Sequence, residues 1–111
     1  MKFTDTIKKN HEFRRLYSKG SSSAAANLVV YARKTHRNCN RIGITVSTKV
    51  GKAVIRNRVR RRLREIYRLH EEGFHTGYDL VVVARTRAAT AAYGRLETEF
   101  LSASHELGAA L

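Results

Sequence analysis

The sequence lacks proline and tryptophan, contains a single cysteine, and has few acidic residues in its first 64 positions. Without proline, no segment can be a proline-rich linker. Cys39 has no partner for an internal disulfide, which is typical of a reducing compartment. No apolar run approaches the roughly 20 residues of a membrane helix, and residues 1–5 lack the apolar segment of a secretory signal. We therefore expect a single domain, residues 1–111, in the cytoplasm.

Positive charge is the dominant feature of the composition. The formal net charge is +13, and residues 1–64 hold 18 Lys and Arg against 2 Asp and Glu, whereas residues 65–111 hold 4 against 7. A surface that only needs to be soluble mixes both signs. The excess indicates a polyanionic partner, with nucleic acid the first candidate. An anionic membrane would leave the ordered pattern of helices and strands unexplained.

Hydrophobic periodicity predicts six elements in the order α-β-β-α-β-α. Helices are expected at about 10–17, 52–70 and 91–107, and strands at 27–34, 41–47 and 78–84. Asn10 is the expected N-cap of the first helix, Gly20 its end, and residues 21–23 a loop. This order favours an α+β fold in which helices pack on a mixed sheet.

The second predicted helix is narrow in its apolar face and basic elsewhere. One stripe holds Ile55, Val59, Leu63 and Ile66. No carboxylate between residues 52 and 64 is available for salt bridges at i±4, so a self-neutralised surface helix is disfavoured. The planar fork of arginine binds phosphate oxygens in pairs, which favours RNA or DNA contact. The polar positions are Asn57, Arg61, Arg64 and Arg68 opposite the stripe, and Arg56, Arg58, Arg60 and Arg62 on its flanks.

The residues that precede this helix do not form a nucleotide-hydrolysis loop. Seven residues separate Gly43 from Gly51 where a Walker A loop needs four, and Ala53 stands where a hydroxyl should bind magnesium. Lys49 and Lys52 do add positive charge beside the helix start. A protein nuclease would need grouped carboxylates or a histidine pair, and a zinc site would need more cysteine and histidine ligands; neither pattern is present.

Residues 41–65, RIGITVSTKVGKAVIRNRVRRRLRE, closely resemble the signature of the bacterial ribonuclease P protein subunit, with Arg56-Asn57-Arg58 as its RNR motif. Residues 13–20, 28–31 and 78–85 resemble the family's first helix, first long strand and later strand. The resemblance implies an α/β sandwich with an unusual left-handed βαβ crossover, contrary to the usual right-handed rule.

The resemblance also implies a function. In this family a large catalytic RNA removes the 5′ leader from precursor tRNA, while the noncatalytic protein binds the leader and the RNA and strengthens substrate and magnesium binding. No metal or cofactor bound by the protein itself, no membrane and no obligate protein partner are expected. Alternatives are a ribosomal protein with a structural role, a sequence-specific DNA binder and an independent endonuclease.

The resemblance assigns two sets of site residues. Phe13, Tyr17 and Tyr31 match aromatic positions of the leader-binding cleft. Aromatic rings suit a variable leader because base stacking contributes ~1–3 kcal/mol per base without reading identity. The tyrosine hydroxyls favour a wet edge, whereas Phe13 can equally be a core residue. The basic patch that faces RNA comprises Lys49, Lys52, Arg56, Asn57, Arg58, Arg60, Arg61, Arg64 and Arg68.

Overall fold

A computed structural model describes residues 4–110 of the chain as a five-stranded mixed sheet with three helices. The strands are β1 (Thr4–Thr6), β2 (Ser21–Ala24), β3 (Leu28–Lys34), β4 (Asn40–Val46) and β5 (Tyr78–Ala84). The helices are α1 (Asn10–Lys19), α2 (Ala53–His70) and α3 (Tyr93–Glu106). Short 3-10 turns at Thr48–Val50, Glu71–Gly73 and Thr86–Ala89 complete the connections. The expected α+β class and its six main elements are confirmed.

The structure corrects two local predictions. Residues 21–23 belong to β2 and are not a loop, because they pair antiparallel with β3 and bury Ser23. Asn10 is the first residue of α1 and not its N-cap; that position falls to Lys9, which makes no side-chain capping bond. The predicted end of the helix is confirmed, since the Gly20 N–H donates to the Leu16 carbonyl at 2.9 Å.

The strand order across the sheet is β1-β4-β5-β3-β2. β4 and β5 are parallel neighbours joined through α2, whereas β3 runs antiparallel to β5. β1 pairs only with the first half of β4, from Asn40 to Ile42, and leaves the second half of β4 as an open edge. The left hand expected for the β4–α2–β5 connection stays a prediction.

The main core lies between one face of the sheet and the pair α2 and α3. Alternate residues of β3 and β5 point to this side, among them Val30 and Val82. Val59, Leu63 and Ile66 of the predicted stripe are at most 1% exposed, and Ile55 is half-buried. Tyr67 joins them, fully buried against Phe74 and Phe100. Burial of one such side chain stabilises the fold by roughly 1.5–3 kcal/mol, which anchors α2 along one side.

The opposite face of the sheet carries α1 alone. Leu16 of α1 packs on Val81 of β5 and on Ile7, which follows β1, in a small second core. Because α1 is only 10 residues long, it covers the middle of this face. The sheet stays open on both sides of the helix, which are called the two flanks of α1 below. This arrangement positions the candidate site.

Candidate nucleic-acid interface

One flank of α1 presents the predicted aromatic residues above β3 and β4. The rings of Tyr17 and Tyr31 meet edge-on with centroids 5.0 Å apart. The Tyr17 hydroxyl shares a hydrogen bond of 3.2 Å with the Thr45 hydroxyl of β4. Because Tyr31 belongs to β3, the Tyr17 side chain passes over β5 and contacts the strands on either side of it. Tyr17 remains 39% exposed, whereas Tyr31 is half-buried. Both rings therefore lie at the water boundary, as their hydroxyls require.

Phe13 lies one helical turn before Tyr17 and is half-buried. Its ring rests on β4 at Gly43, where an added Cβ would come within 2.6 Å of the ring. A small cavity of about 90 Å³ at the open edge of β4 joins Phe13 to Arg60 and Arg64 of α2. The ring therefore packs on the sheet and also faces the basic helix, and its assignment to the leader-binding cleft stays a prediction.

Several arginines of α2 are engaged with the backbone of the fold. Arg56 Nε donates to the Gly51 carbonyl at 3.2 Å, and Arg58 donates to the Ala89 carbonyl at 3.0 Å. Arg62, on the same flank, donates to the Ala91 carbonyl. Within the RNR motif, Asn57 accepts a 2.9 Å hydrogen bond from Arg60. Arg56 and Arg58, the two arginines of the motif, bind carbonyls of the segments that flank α2 and precede α3. The RNR motif therefore helps to fix the backbone around α2, a role that the helical periodicity alone does not reveal.

The remaining residues of the predicted basic patch divide into free and paired groups. Lys49, Lys52, Arg61 and Arg64 are exposed, and the structure from residue 4 to 110 gives their side chains no hydrogen bond or ion pair. Arg68 instead binds both oxygens of Glu65, at 2.9 and 2.6 Å. This pairing lowers the pKa of Glu65 below its ordinary value through the arginine's hydrogen bonds. Arg68, unlike these four residues, already binds a carboxylate.

An ion network under α1 connects the helix to the sheet. Arg41 of β4 binds Asp79 of β5 through two hydrogen bonds of 2.9 and 2.7 Å and also binds Glu12 of α1. The Arg41 side chain is 15% exposed and the Asp79 side chain 9% exposed, so loss of either partner would leave a nearly buried charge unpaired. The hydrogen bond that Arg41 donates to Glu12 lowers the pKa of Glu12, and the hydrogen bonds that Asp79 and Glu12 accept raise the pKa of Arg41. Sequence reasoning missed this network because its members are far apart in the chain.

The other flank of α1 holds further basic residues that the sequence did not single out. A groove there is bordered by Arg15 of α1 and by Arg33 and Arg37 at the end of β3 and beyond it. These three arginines become neighbours because β3 pairs with β5 beneath α1, which brings the end of β3 next to Arg15. The signal available in the sequence was the carboxylate-free stretch between Glu12 and Glu65.

Neither a metal-binding cluster nor a membrane-spanning helix is present among the described residues. Between residues 4 and 110 no group of three or more His, Cys, Asp or Glu side chains is placed to hold a metal ion. None of the helices in the same range is both long and apolar enough to span a membrane.

Comparisons with known proteins agree with the geometry. The model of the Ribonuclease P family matches residues 1–108. The ribonuclease P protein component of Alkaliphilus oremlandii is 45% identical over 91% of this chain and 89% of its own length. The Staphylococcus aureus RNase P protein structure superposes with a TM-score of 0.87 at 32% identity, covering 96% and 97% of the two chains. The structure of the RNase P protein from Thermotoga maritima superposes with a TM-score of 0.80 at 27% identity, covering 88% of this chain and 93% of its own. The chain therefore belongs to the ribonuclease P protein family.

Proposed function

We propose that the protein, as the ribonuclease P subunit for tRNA 5′ maturation, binds the precursor's 5′ leader directly. The family assigns the association with ribonuclease P RNA and the role in an endoribonuclease holoenzyme. The Tyr17–Tyr31 pair, on the face of the sheet that α1 covers, carries the leader proposal. Nothing in the comparisons favours the alternative of a structural ribosomal protein.

The flank with the aromatic pair offers the two contacts that single-stranded RNA needs. The exposed ring of Tyr17 provides a surface for an unpaired base, and stacking tolerates any base because each has an aromatic face. Arg60 and Arg64 stand across the open edge of β4 and supply positive charge for the phosphates on either side of that base. A leader of variable sequence can be held this way without base-specific hydrogen bonds.

The catalytic groups are assigned to the RNA. The carboxylates nearest to the basic surface support this assignment, because Glu12 and Asp79 are bound by Arg41 and Glu65 is bound by Arg68. A carboxylate bound by arginine is a poor metal ligand and a poor base. Magnesium belongs to the holoenzyme's reaction in this proposal, and no step requires the protein to hold it. A cytoplasmic location stays a prediction.

The leader proposal is tested with the holoenzyme and two ligands. Tyr17→Ala and Tyr31→Ala should each weaken binding of precursor tRNA by roughly 5- to 100-fold, which corresponds to the loss of one stacked base, and should leave mature tRNA binding unchanged. The matched control is Tyr93→Ala, a half-buried tyrosine on α3, which should weaken neither ligand. Equal losses for precursor and mature tRNA would contradict the proposal. Protein without RNA should not cleave precursor tRNA.

A further inference from the structure

Two residues of β4 lie beneath the two aromatic residues of α1. Gly43 packs against the Phe13 ring, and the Thr45 hydroxyl contacts the Tyr17 hydroxyl. Side chains alternate across a strand, and the apolar residues before, between and after these two positions point into the main core. Two residues along a strand cover about 6.7 Å and four residues along a helix about 6 Å, so the two pairs stay in step.

The sheet holds Thr45 in place. β4 and β5 pair at this point, with Thr45 opposite Val83, and the Thr45 side chain is half-buried. Branching at Cβ restricts the rotation of a threonine side chain, so the direction of its hydroxyl group is largely set by the strand. Thr45 lies beside Phe13 and Tyr17 in a shallow hollow on this flank of α1. Its hydroxyl is therefore a fixed point to which a mobile side chain can bind.

The Tyr17 ring needs such a point because it is 39% exposed. Its edge-on contact with Tyr31 and its hydrogen bond to Thr45 together limit its rotation. At 3.2 Å the bond is long for two hydroxyl groups and is exposed, so it adds little to the stability of the fold. It acts instead on the direction in which the ring faces. A side chain already held in its bound orientation loses less conformational entropy when a ligand binds.

We propose that Thr45 is a positioning residue for leader binding, whose hydroxyl holds the Tyr17 ring in the orientation in which an unpaired base stacks on it. This role of Thr45 rests on the proposed function, since it requires that the leader binds at Tyr17. Thr45 acts through the ring and need not touch the RNA. The affinity for the leader then depends on a hydroxyl group that lies on the sheet beneath the stacking surface.

The test begins with three variants in the holoenzyme. Thr45→Val removes the hydroxyl and keeps the branched shape; it should weaken precursor tRNA binding by roughly 2- to 10-fold and leave mature tRNA binding unchanged. The cleavage rate at saturating precursor should also be unchanged. Thr45→Ser keeps a hydroxyl and should bind precursor almost as well as the unmodified protein. The matched control is Thr98→Val, whose exposed hydroxyl bonds only to the Gly94 carbonyl of its own helix and which should affect neither ligand.

A double-mutant cycle shows whether Thr45 acts through Tyr17. Tyr17→Phe keeps the ring and removes the bond, so it should weaken precursor binding by about the same factor as Thr45→Val. The double variant should bind no more weakly than either single variant, because both changes remove the same interaction. Losses that multiply in the double variant overturn the positioning role, as does a Thr45→Ser protein that binds as weakly as Thr45→Val.

The same measurements separate this role from the leader proposal. Unmodified precursor affinity for Thr45→Val, beside a weakened Tyr17→Ala, overturns the positioning role and leaves the leader proposal standing. Unmodified precursor affinity for Tyr17→Ala overturns both. Equal losses of precursor and mature tRNA binding for Thr45→Val would mean that the hydroxyl supports the fold and not the orientation of the ring, which also overturns the positioning role.

Discussion

Arg41 is the residue on which the position of α1 most depends. It connects β4, β5 and the first turn of α1 through Asp79 and Glu12, and it lines the groove on the flank of α1 that carries Arg15. A long side chain with several donors suits this place, because lysine could not bind Asp79 with two parallel hydrogen bonds. The residue therefore has a structural role although it lies within the basic, carboxylate-free stretch between Glu12 and Glu65.

Arg41→Gln should lower the free energy of unfolding by about 2–3 kcal/mol at pH 7, since Asp79 is then left nearly buried without its partner. The pKa of Glu12 is lowered in the fold, so its pairing stabilises the protein above its ordinary pKa of 4.5 and is lost as the pH falls through the lowered value. The difference between the proteins should therefore shrink on acidification. Urea denaturation at several pH values measures it. Arg68→Gln, which breaks a pair with Glu65 in which both side chains are about half exposed, should cost under about 0.5 kcal/mol; an equal loss for Arg41→Gln contradicts the prediction.

Gly43 is the residue that lets the Phe13 ring pack directly against β4. Gly43→Ala places a methyl group 2.6 Å from the ring, so the ring, one helical turn before Tyr17 where we propose that the leader binds, must shift. We expect a loss of about 1–3 kcal/mol in unfolding free energy from overpacking, together with weaker precursor tRNA binding by the holoenzyme. Gly94→Ala on α3 is the matched control, since its added methyl group meets no atom within 4 Å and alanine favours a helix. Unchanged stability and binding for Gly43→Ala would show that the ring is free to move.

At the scale of elements, the sequence predicts those helices and strands whose own residue pattern is long and regular enough to identify them. The apolar stripe of α2 and the continuous apolar run of β5 identify these elements, because long periodic segments carry their own signal. β1 and β2 escape prediction since they have three and four residues and are mostly polar. Their pairing with β4 and β3 is what makes them strands, and no local pattern reports it.

The candidate site shows the same limit. Periodicity places the arginines of α2 on the solvent side, and the family resemblance selects Tyr17 and Tyr31. Neither shows that Arg56 and Arg58 hold backbone carbonyls, nor that Arg15 and Arg37 share a groove. These relations depend on loop positions and on strand order, which arise only when the whole chain packs.

The exposed side of α2 should therefore be uneven in its contribution to RNA binding. Arg61 has no partner in the described structure, whereas Arg68 is held by Glu65. Arg61→Gln should reduce the magnitude of the salt slope for ribonuclease P RNA binding by about 1, and Arg68→Gln should leave the slope nearly unchanged. Filter binding at four or more salt concentrations distinguishes the two. A larger change for Arg68→Gln would mean that RNA displaces Glu65 and would refute the division into free and paired arginines.

At the scale of the whole molecule, the net charge of +13 makes the isolated fold repel itself. An anion that binds the folded state should relieve this repulsion. We expect millimolar sulfate to raise the melting temperature by about 5 °C or more relative to chloride at equal ionic strength. The rise should level off as sites fill, whereas the general salting effect of sulfate continues to grow at much higher concentration. A melting temperature that does not respond in the millimolar range contradicts the prediction.

The two helices on the main core face differ in charge. α2 covers β4 and displays arginines, whereas α3 lies over β3 and β2 and carries Glu97, Glu99 and Glu106. Opposite charges at the two sides of so small a body create an electric dipole along the sheet. A distant polyanion exerts a torque on that dipole and turns the molecule before contact, which shortens the search for the docked orientation and makes the encounter rate fall as ionic strength rises.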